Sequence, residues 1–334
     1  MTRQQPGLTG LPDLRGSGGA VPRPRSGAPP VPALTKTKGN DQMSAPPVID
    51  VDGLTVSYGD FAAVRDLSFE VHRGELYALL GTNGAGKTST LEVVEGHRRA
   101  TSGTVRIFGA SPQDRQASRP RMGIMLQESG FSPDLTVRES VALIGSLSGR
   151  DDTVDRVLGV VGLTRKASTI VAQLSGGEKR RLDFATAVYG GPGLVILDEP
   201  TTGLDIQSRD ALWAAVDRLR EAGSTVVLTT HYLEEAQQRA DRIGLMHEGR
   251  LHREGTVAEL TQTLASVITF GLPPGAPEPP TVGALNGGFH IETFHLQDDL
   301  HRLLAWAHDH GVELQDLQAG PTRLDDVFRA LDAT

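Results

Sequence analysis

The stretch ELYALLGTNGAGKTSTLEVV, residues 75–94, decides the fold. Leu76 to Leu80 are continuously apolar, which suits a strand of a parallel sheet covered on both faces. The run ends in Gly81-Thr82-Asn83-Gly84-Ala85-Gly86-Lys87-Thr88, a G-x-x-x-x-G-K-T spacing, and the residues from Ser89 onward read as helix. Glycines at these places let backbone N–H groups curl around an anion, and the N-terminus of the following helix adds positive potential. Lys87 then reaches the β and γ phosphates of a bound nucleotide, with Ser89 beside them, and the Thr88 hydroxyl is a ligand for Mg2+. A coincidental Gly-rich turn is the competing reading, and the strand-loop-helix context argues against it.

Two further segments share the continuous apolar character: LVIL at 194–197 and TVVLTT at 225–230. Asp198 and Glu199 follow the first, so a buried parallel strand would deliver two carboxylates at its C-terminal edge, the ligand side of an open α/β sheet. Asp198 is a candidate to hold Mg2+ or its water, and Glu199 to polarise an attacking water. Alone, an acidic pair after a strand is more often a helix cap or a solvated end. The phosphate loop upstream reverses that balance. Farther out, Leu54, Val56 and Tyr58 alternate as a half-buried strand does, as do Leu67, Phe69 and Val71, and TVRIF ending at Phe108 is strand-like. These predict a small antiparallel sheet beside the nucleotide core. In the middle of the chain Thr136 with Glu139 fits a capping box, and Val154, Val157, Leu158 and Val161 keep helical spacing, which predicts a helical region over about 128–182.

The 334 residues leave room for about two domains. Residues 1–47 are rich in Pro, Gly and Ser with scattered apolar residues, the composition of a disordered extension, and Met43 offers a second candidate start. The nucleotide core is expected over 48–260. Beyond it GLPPGAPEPP interrupts the pattern, and HIETF, a helix candidate on Leu300, Leu303, Leu304 and Ala307, VELQDL and a final helix predict a small α/β extension over 261–334. With no cysteine, disulfides, thiolate chemistry and Cys-rich zinc sites are excluded. No apolar run approaches the roughly 18 residues that cross a bilayer, and the first residues lack the apolar core of a secretory signal, so the protein is expected to stay in the cytoplasm. A net charge of -8 makes nucleic acid a poor default partner.

Leu174-Ser175-Gly176-Gly177-Glu178 then narrows the family. Read physically it is a helix N-terminus, with Ser175 as N-cap and two glycines that leave N–H groups open to an anion; standing alone, a simple capped helix would be the natural reading. Its place, 22 residues before Asp198 counted from Gly176, resembles the LSGGQ signature of ABC ATPases. LSGGEKRRLDFATAV and LVILDEPTTGLD look like that family over their whole length. The resemblance covers about residues 48–260. It implies an α/β P-loop NTPase core, a mostly parallel sheet flanked by helices, with an antiparallel β subdomain, a helical subdomain and the small C-terminal extension. By the same resemblance Tyr58 matches the aromatic that stacks on adenine. Gln127 in GIMLQES matches the loop glutamine that senses Mg2+ and links to a membrane partner. Leu204-Asp205 of TTGLD match the loop that crosses between monomers. His231, 33 residues beyond Asp198, matches the switch histidine at the γ-phosphate. One departure is visible: the signature ends in Glu178 where Gln is usual. TTGLD, HYLEEA and the closing PTRLDDVFRALDAT also resemble the daunorubicin-type drug-resistance exporters of actinomycetes.

In that family each ATP lies between the P-loop of one subunit and the signature of another. One P-loop and one signature per chain therefore imply a head-to-tail pair, either a homodimer or a heterodimer with a homologue, that closes on ATP with Mg2+ and reopens after hydrolysis. A polytopic membrane permease would receive that motion at the cytoplasmic face of the membrane, with the chain peripheral. An importer ATPase is the nearest alternative. A soluble ABC ATPase of DNA repair or of the ribosome would show coiled-coil insertions or tandem cassettes, and neither is present.

Overall fold

The computed structural model describes residues 46–127, 130–261, 265–277, 279, 283–285, 288–320, 324 and 327. The disordered extension expected over 1–47, and Met43 with it, lies up to residue 45 outside the described residues. In chain order the first elements are β1 (Ile49–Tyr58), β2 (Phe61–Val71), β3 (Leu76–Gly81), α1 (Lys87–Val94), β4 (Ser102–Ile107), α2 (Arg115–Ser118) and β5 (Met122–Met125). The middle holds α3 (Val137–Ser148), α4 (Val154–Val160), α5 (Gly176–Ala187), β6 (Leu194–Asp198), α6 (Ile206–Glu221), β7 (Thr225–Thr230) and α7 (Leu233–Arg239). Then follow β8 (Arg242–His247), β9 (Arg250–Gly255), α8 (Val257–Thr261), β10 (Ser266–Gly271), β11 (Gly283–Leu285), β12 (Gly288–Thr293), α9 (Leu296–Asp309) and β13 (Gln315–Gly320).

The three apolar runs become neighbours. The central sheet has the order β5-β6-β7-β3-β8-β9, parallel throughout except for β9, which returns antiparallel to β8. Its continuous apolarity has a direct cause in strand geometry, where successive side chains leave opposite faces. Leu76, Ala78 and Leu80 of β3 with Val195 and Leu197 of β6 enter one core, while Tyr77, Leu79, Leu194 and Ile196 enter the other. Each such Leu, Ile or Val side chain contributes about 1.5–3 kcal/mol by leaving water. The second core is closed by the antiparallel sheet β2-β1-β4, through Leu54, Val56, Leu67 and Phe69, together with α1.

The first core extends into the helices. Val137 and Val141 of α3, Val157 and Leu158 of α4 and Leu182 of α5 join it. The capping box at α3 forms as the sequence predicts: Thr136 N–H donates to Glu139 Oε2 at 2.8 Å, and Glu139 N–H to Thr136 Oγ1 at 3.2 Å. In the C-terminal part a four-stranded antiparallel sheet, β11-β12-β10-β13, carries α9, with Ile268 and Phe270 of β10 clustered with Leu303 of α9. Leu303 and Ala307 are buried, whereas Leu304 is 46% exposed, because the sheet covers only one stripe of α9. Of the expected final helix, Leu324 and Val327 are described; both are helical and buried in the first core, alongside Leu260.

Candidate functional site

The phosphate loop sits where β3 hands over to α1. Gly84 and Gly86 take left-handed backbone angles, φ 83° and 98°. At Gly86 a Cβ would also lie 2.5 Å from the Ala63 carbonyl oxygen, so only glycine fits between loop and β2. Lys87 opens α1 with its side chain turned back along the loop: Nζ donates to the carbonyls of Gly81 at 2.7 Å and Thr82 at 3.1 Å. Burial pulls the Lys87 ammonium below its ordinary pKa, and the Glu199 and Asp198 carboxylates oppose that shift.

The carboxylates arrive at the end of β6, two strands away. Asp198 is 5% exposed, accepts the Thr229 hydroxyl on Oδ1, and lies with Oδ2 3.5 Å from Thr88 Oγ1. Burial raises its pKa, offset by the Thr229 hydrogen bond. Glu199 adopts φ 46°, a left-handed conformation that costs a non-glycine residue about 1–2 kcal/mol. Its N–H is shared between the Thr229 carbonyl and hydroxyl, each at 3.1 Å, and its Oε2 accepts from Thr202 at 3.2 Å. His231, just past β7, places Nδ1 3.3 Å from Glu199 Oε1.

Thr82 lies on the loop itself, its carbonyl held by Lys87. One cleft of about 300 Å³ joins Tyr58, Asn83, Gly84, Ala85, Gly86, Lys87, Thr88, Ser89, Gln127 and Glu199. A hollow next to it is lined by Thr88, Gln127 and Asp198, with Glu95 and His97. A hydroxyl, one buried carboxylate and a glutamine amide fit Mg2+, which takes hard oxygen ligands and fills its remaining positions from phosphates and water. No cluster of three or more metal-ligating His, Asp or Glu occurs among the described residues. Tyr58 is engaged on one side: its hydroxyl is 3.1 Å from both Ser89 Oγ and Glu92 Oε2, and the Arg98 guanidinium lies 4.1 Å from its ring centroid. Phe61, 62% exposed on the same cleft, is a second aromatic that the sequence analysis passed over.

Four of the expected residues lie elsewhere. Ser175, the N-cap of α5, and Gly176 are exposed and do not line the cleft. A Cβ on Gly177 would come within 2.7 Å of Ser208 Oγ, so the start of α5 packs directly on the start of α6. There Asp205 caps α6, accepting Ser208 N–H at 2.7 Å. Ser175, Gly176 and Asp205 are exposed and Gly177 is half-buried, and the four form a separate edge.

The family described as ABC transporter matches residues 64–202. The Nod factor export ATP-binding protein I of Paraburkholderia xenovorans is 40% identical over 218 residues, 64% of this chain and 72% of that protein. The chain belongs to the ABC transporter ATP-binding subunits. The protein of that name from Rhizobium johnstonii is 39% identical over 217 residues, 63% of this chain and 70% of the relative. Among solved structures, an ATP-binding subunit of an ABC transporter superposes with TM-score 0.61 at 27% identity, covering 65% of this chain and 92% of the other. A dimeric bacterial ABC transporter cassette does so with TM-score 0.58 at 26% identity, covering 62% and 98%. Residues 266–322 match a C-terminal domain described for ABC transporter domain-containing proteins. The chain is thus an ABC ATPase, an enzyme that binds and hydrolyses ATP.

Within this ABC ATPase the departure at Glu178 has a local explanation. Its carboxylate completes a capping box, accepting Ser175 N–H at 2.9 Å, and pairs with Lys166 at 3.2 Å. Both contacts hold its pKa below the ordinary range, the Ser175 N–H foremost. Thr229 and Arg180 are the residues that motif reading missed. Arg180 stands inside LSGGEKRRLDFATAV and Thr229 inside TVVLTT, but nothing local marks either, because their partners lie 18 to 54 residues away in sequence.

Proposed function

We propose that the chain is the ATP-hydrolysing subunit of an ABC exporter, coupled to a separate polytopic permease that moves a drug-like or other small molecule. Several observations support export. Relatives carry the name Nod factor export ATP-binding protein, and the closing PTRLDDVFRALDAT resembles the daunorubicin-type exporters of actinomycetes. Residues 48–260 would be the ATPase domain, with its helical subdomain over about 128–182, and 261–334 an accessory α/β domain. Among the described residues no helix is long and apolar enough to cross a membrane, so the work would be delivered through a partner at the cytoplasmic face.

In this reading Lys87 and the loop amides bind the phosphates, and Tyr58 meets the adenine. Asp198, Thr88 and Gln127 would hold Mg2+, which neutralises phosphate charge when bound. Glu199 orients and deprotonates the attacking water, and His231 steadies Glu199 and meets the γ-phosphate. The observation that carries the dimer is the separation of Ser175, Gly176, Gly177 and Asp205 from the cleft: exposed N–H groups at a helix start complete a nucleotide site only when supplied by another subunit. That subunit would be a second copy or a homologue.

Mixing two dead variants tests it. Ser175→Arg and Lys87→Ala should each abolish hydrolysis alone, while the mixed dimer regains a substantial part, since one composite site has both halves intact. Because the chain has no cysteine, Ser175→Cys paired with Asn83→Cys gives a clean crosslink. An ATP-dependent bond between chains is expected; its absence would overturn the shared site.

A further inference from the structure

Arg180 stands in the second turn of α5, the helix that Ser175 caps, and is 8% exposed. All five of its N–H groups end on main-chain carbonyls. Nη1 donates to Leu126 and Gln127, both at 2.8 Å; Nη2 to Asp198 and Glu199, both at 2.7 Å; and Nε to Pro200 at 3.2 Å. The planar guanidinium offers five donors in a fixed fork, so its capacity is filled. The five acceptors come from only two segments, the end of β5 running into Gln127 and the end of β6 running through Pro200.

A buried cation is a poor way merely to glue a helix to a sheet, since an apolar side chain does that without desolvating a charge. What the guanidinium adds is geometry. It holds the carbonyls of the two peptides on either side of the left-handed Glu199 Cα, those of Asp198 and Glu199, and with its other amino group it holds the carbonyl of Gln127. The third partner is its own helix, whose N-terminus, Ser175 to Gly177, is exposed at Ser175 and Gly176. One side chain thus ties the edge offered to another subunit to both groups expected to act on this subunit's nucleotide.

We infer that Arg180 is a positioning residue that couples the two composite sites of the dimer. When nucleotide bound to the partner engages Ser175, Gly176 and Gly177, the pull on α5 passes through Arg180 and sets Gln127 and Glu199 in their own site. The inference rests on the shared-site reading above and adds a route from one site to the other.

The test uses the full chain with Arg180→Lys, which keeps the charge but brings three donors to five carbonyls. The expected result is a split: nucleotide affinity, read by titration with a fluorescent ATP analogue, stays within about threefold, while kcat falls at least about tenfold. Hydrogen exchange should quicken together in peptides spanning 123–127 and 196–204, and ATP should no longer slow it. A kcat within about threefold of wild type, or quickened exchange confined to α5, would overturn the inference. If Arg180→Lys does not fold, Glu199→Gln decides. ATP should slow exchange in both peptides of that variant, and adding Ser175→Arg should abolish the slowing while nucleotide remains bound. Persistent slowing would count against Arg180. Retained hydrolysis by Glu199→Gln alone would instead count against the site assignment, leaving the exchange result to judge the coupling separately.

Discussion

Glu199 shows how a single residue combines strain and chemistry. Its left-handed φ of 46° is held by hydrogen bonds from both ends of the residue, its N–H to Thr229 and its carbonyl to Arg180. The side chain is thereby turned into the cleft, between Thr202 and His231. Nucleotide binding relies on the loop, whereas water activation needs a carboxylate, so the two should separate on mutation. Glu199→Gln is expected to bind ATP within about threefold of wild type and to lose hydrolysis by about 10²–10⁴-fold. Phosphate release and an equilibrium titration read the two quantities, and hydrolysis within about tenfold of wild type would remove Glu199 from the role of base. The carboxylate itself was legible in the sequence, because LVIL before it specifies a buried strand end. Its backbone strain was not, since Thr229 and Arg180 reach it from 30 and 19 residues away.

Among the elements, α4 and α5 are joined by a carboxylate rather than by apolar packing alone. Asp152 has a side chain 5% exposed and accepts from Arg156 Nε at 2.6 Å, Gly190 N–H at 2.7 Å and Thr153 N–H at 2.7 Å. Its own carbonyl takes the Tyr189 hydroxyl at 2.8 Å. The Arg156 guanidinium, with those N–H groups, holds the Asp152 carboxyl down at about 2. A depressed folded-state pKa gives stability that is fully present above the ordinary value near 3.8 and is lost as pH falls towards 2. Asp152→Asn should therefore lower stability by about 1–2 kcal/mol at neutral pH. In urea unfolding the gap to wild type should close between pH 4 and pH 2; a gap that stays constant over that range would show that the carboxylate charge is not what binds the two helices. The α3 start was readable from its T-x-x-E spacing, because a capping box is local, and the α5 start from Ser175 as an N-cap. The Asp152–Gly190 tie was not, because it spans 38 residues.

For the molecule as a whole, the C-terminal part does more than sit beside the core. Leu324 and Val327 are 0% and 1% exposed and lie in the same core as the inward faces of β3, β6 and β7. Leu324→Ala should destabilise the ATPase core by about 2–4 kcal/mol, through lost transfer free energy and the cavity left behind. Chemical unfolding monitored at Trp213, which belongs to that core, measures it; a loss under about 1 kcal/mol would detach the extension from the core's stability. What the sequence by itself determined is everything that depends on near neighbours along the chain: the phosphate loop between strand and helix, the carboxylates after a buried strand, the capped start of α5 and the alternation that divides each apolar strand between two cores. The tertiary structure alone decided which of those pieces share a cleft. It brought Gln127, Thr88, Asp198 and Glu199 together and left Ser175, Gly176, Gly177 and Asp205 on a separate edge. It also placed Arg180 where five carbonyls converge, because hydrogen bonds between distant segments are set by how strands order in a sheet and not by spacing along the chain.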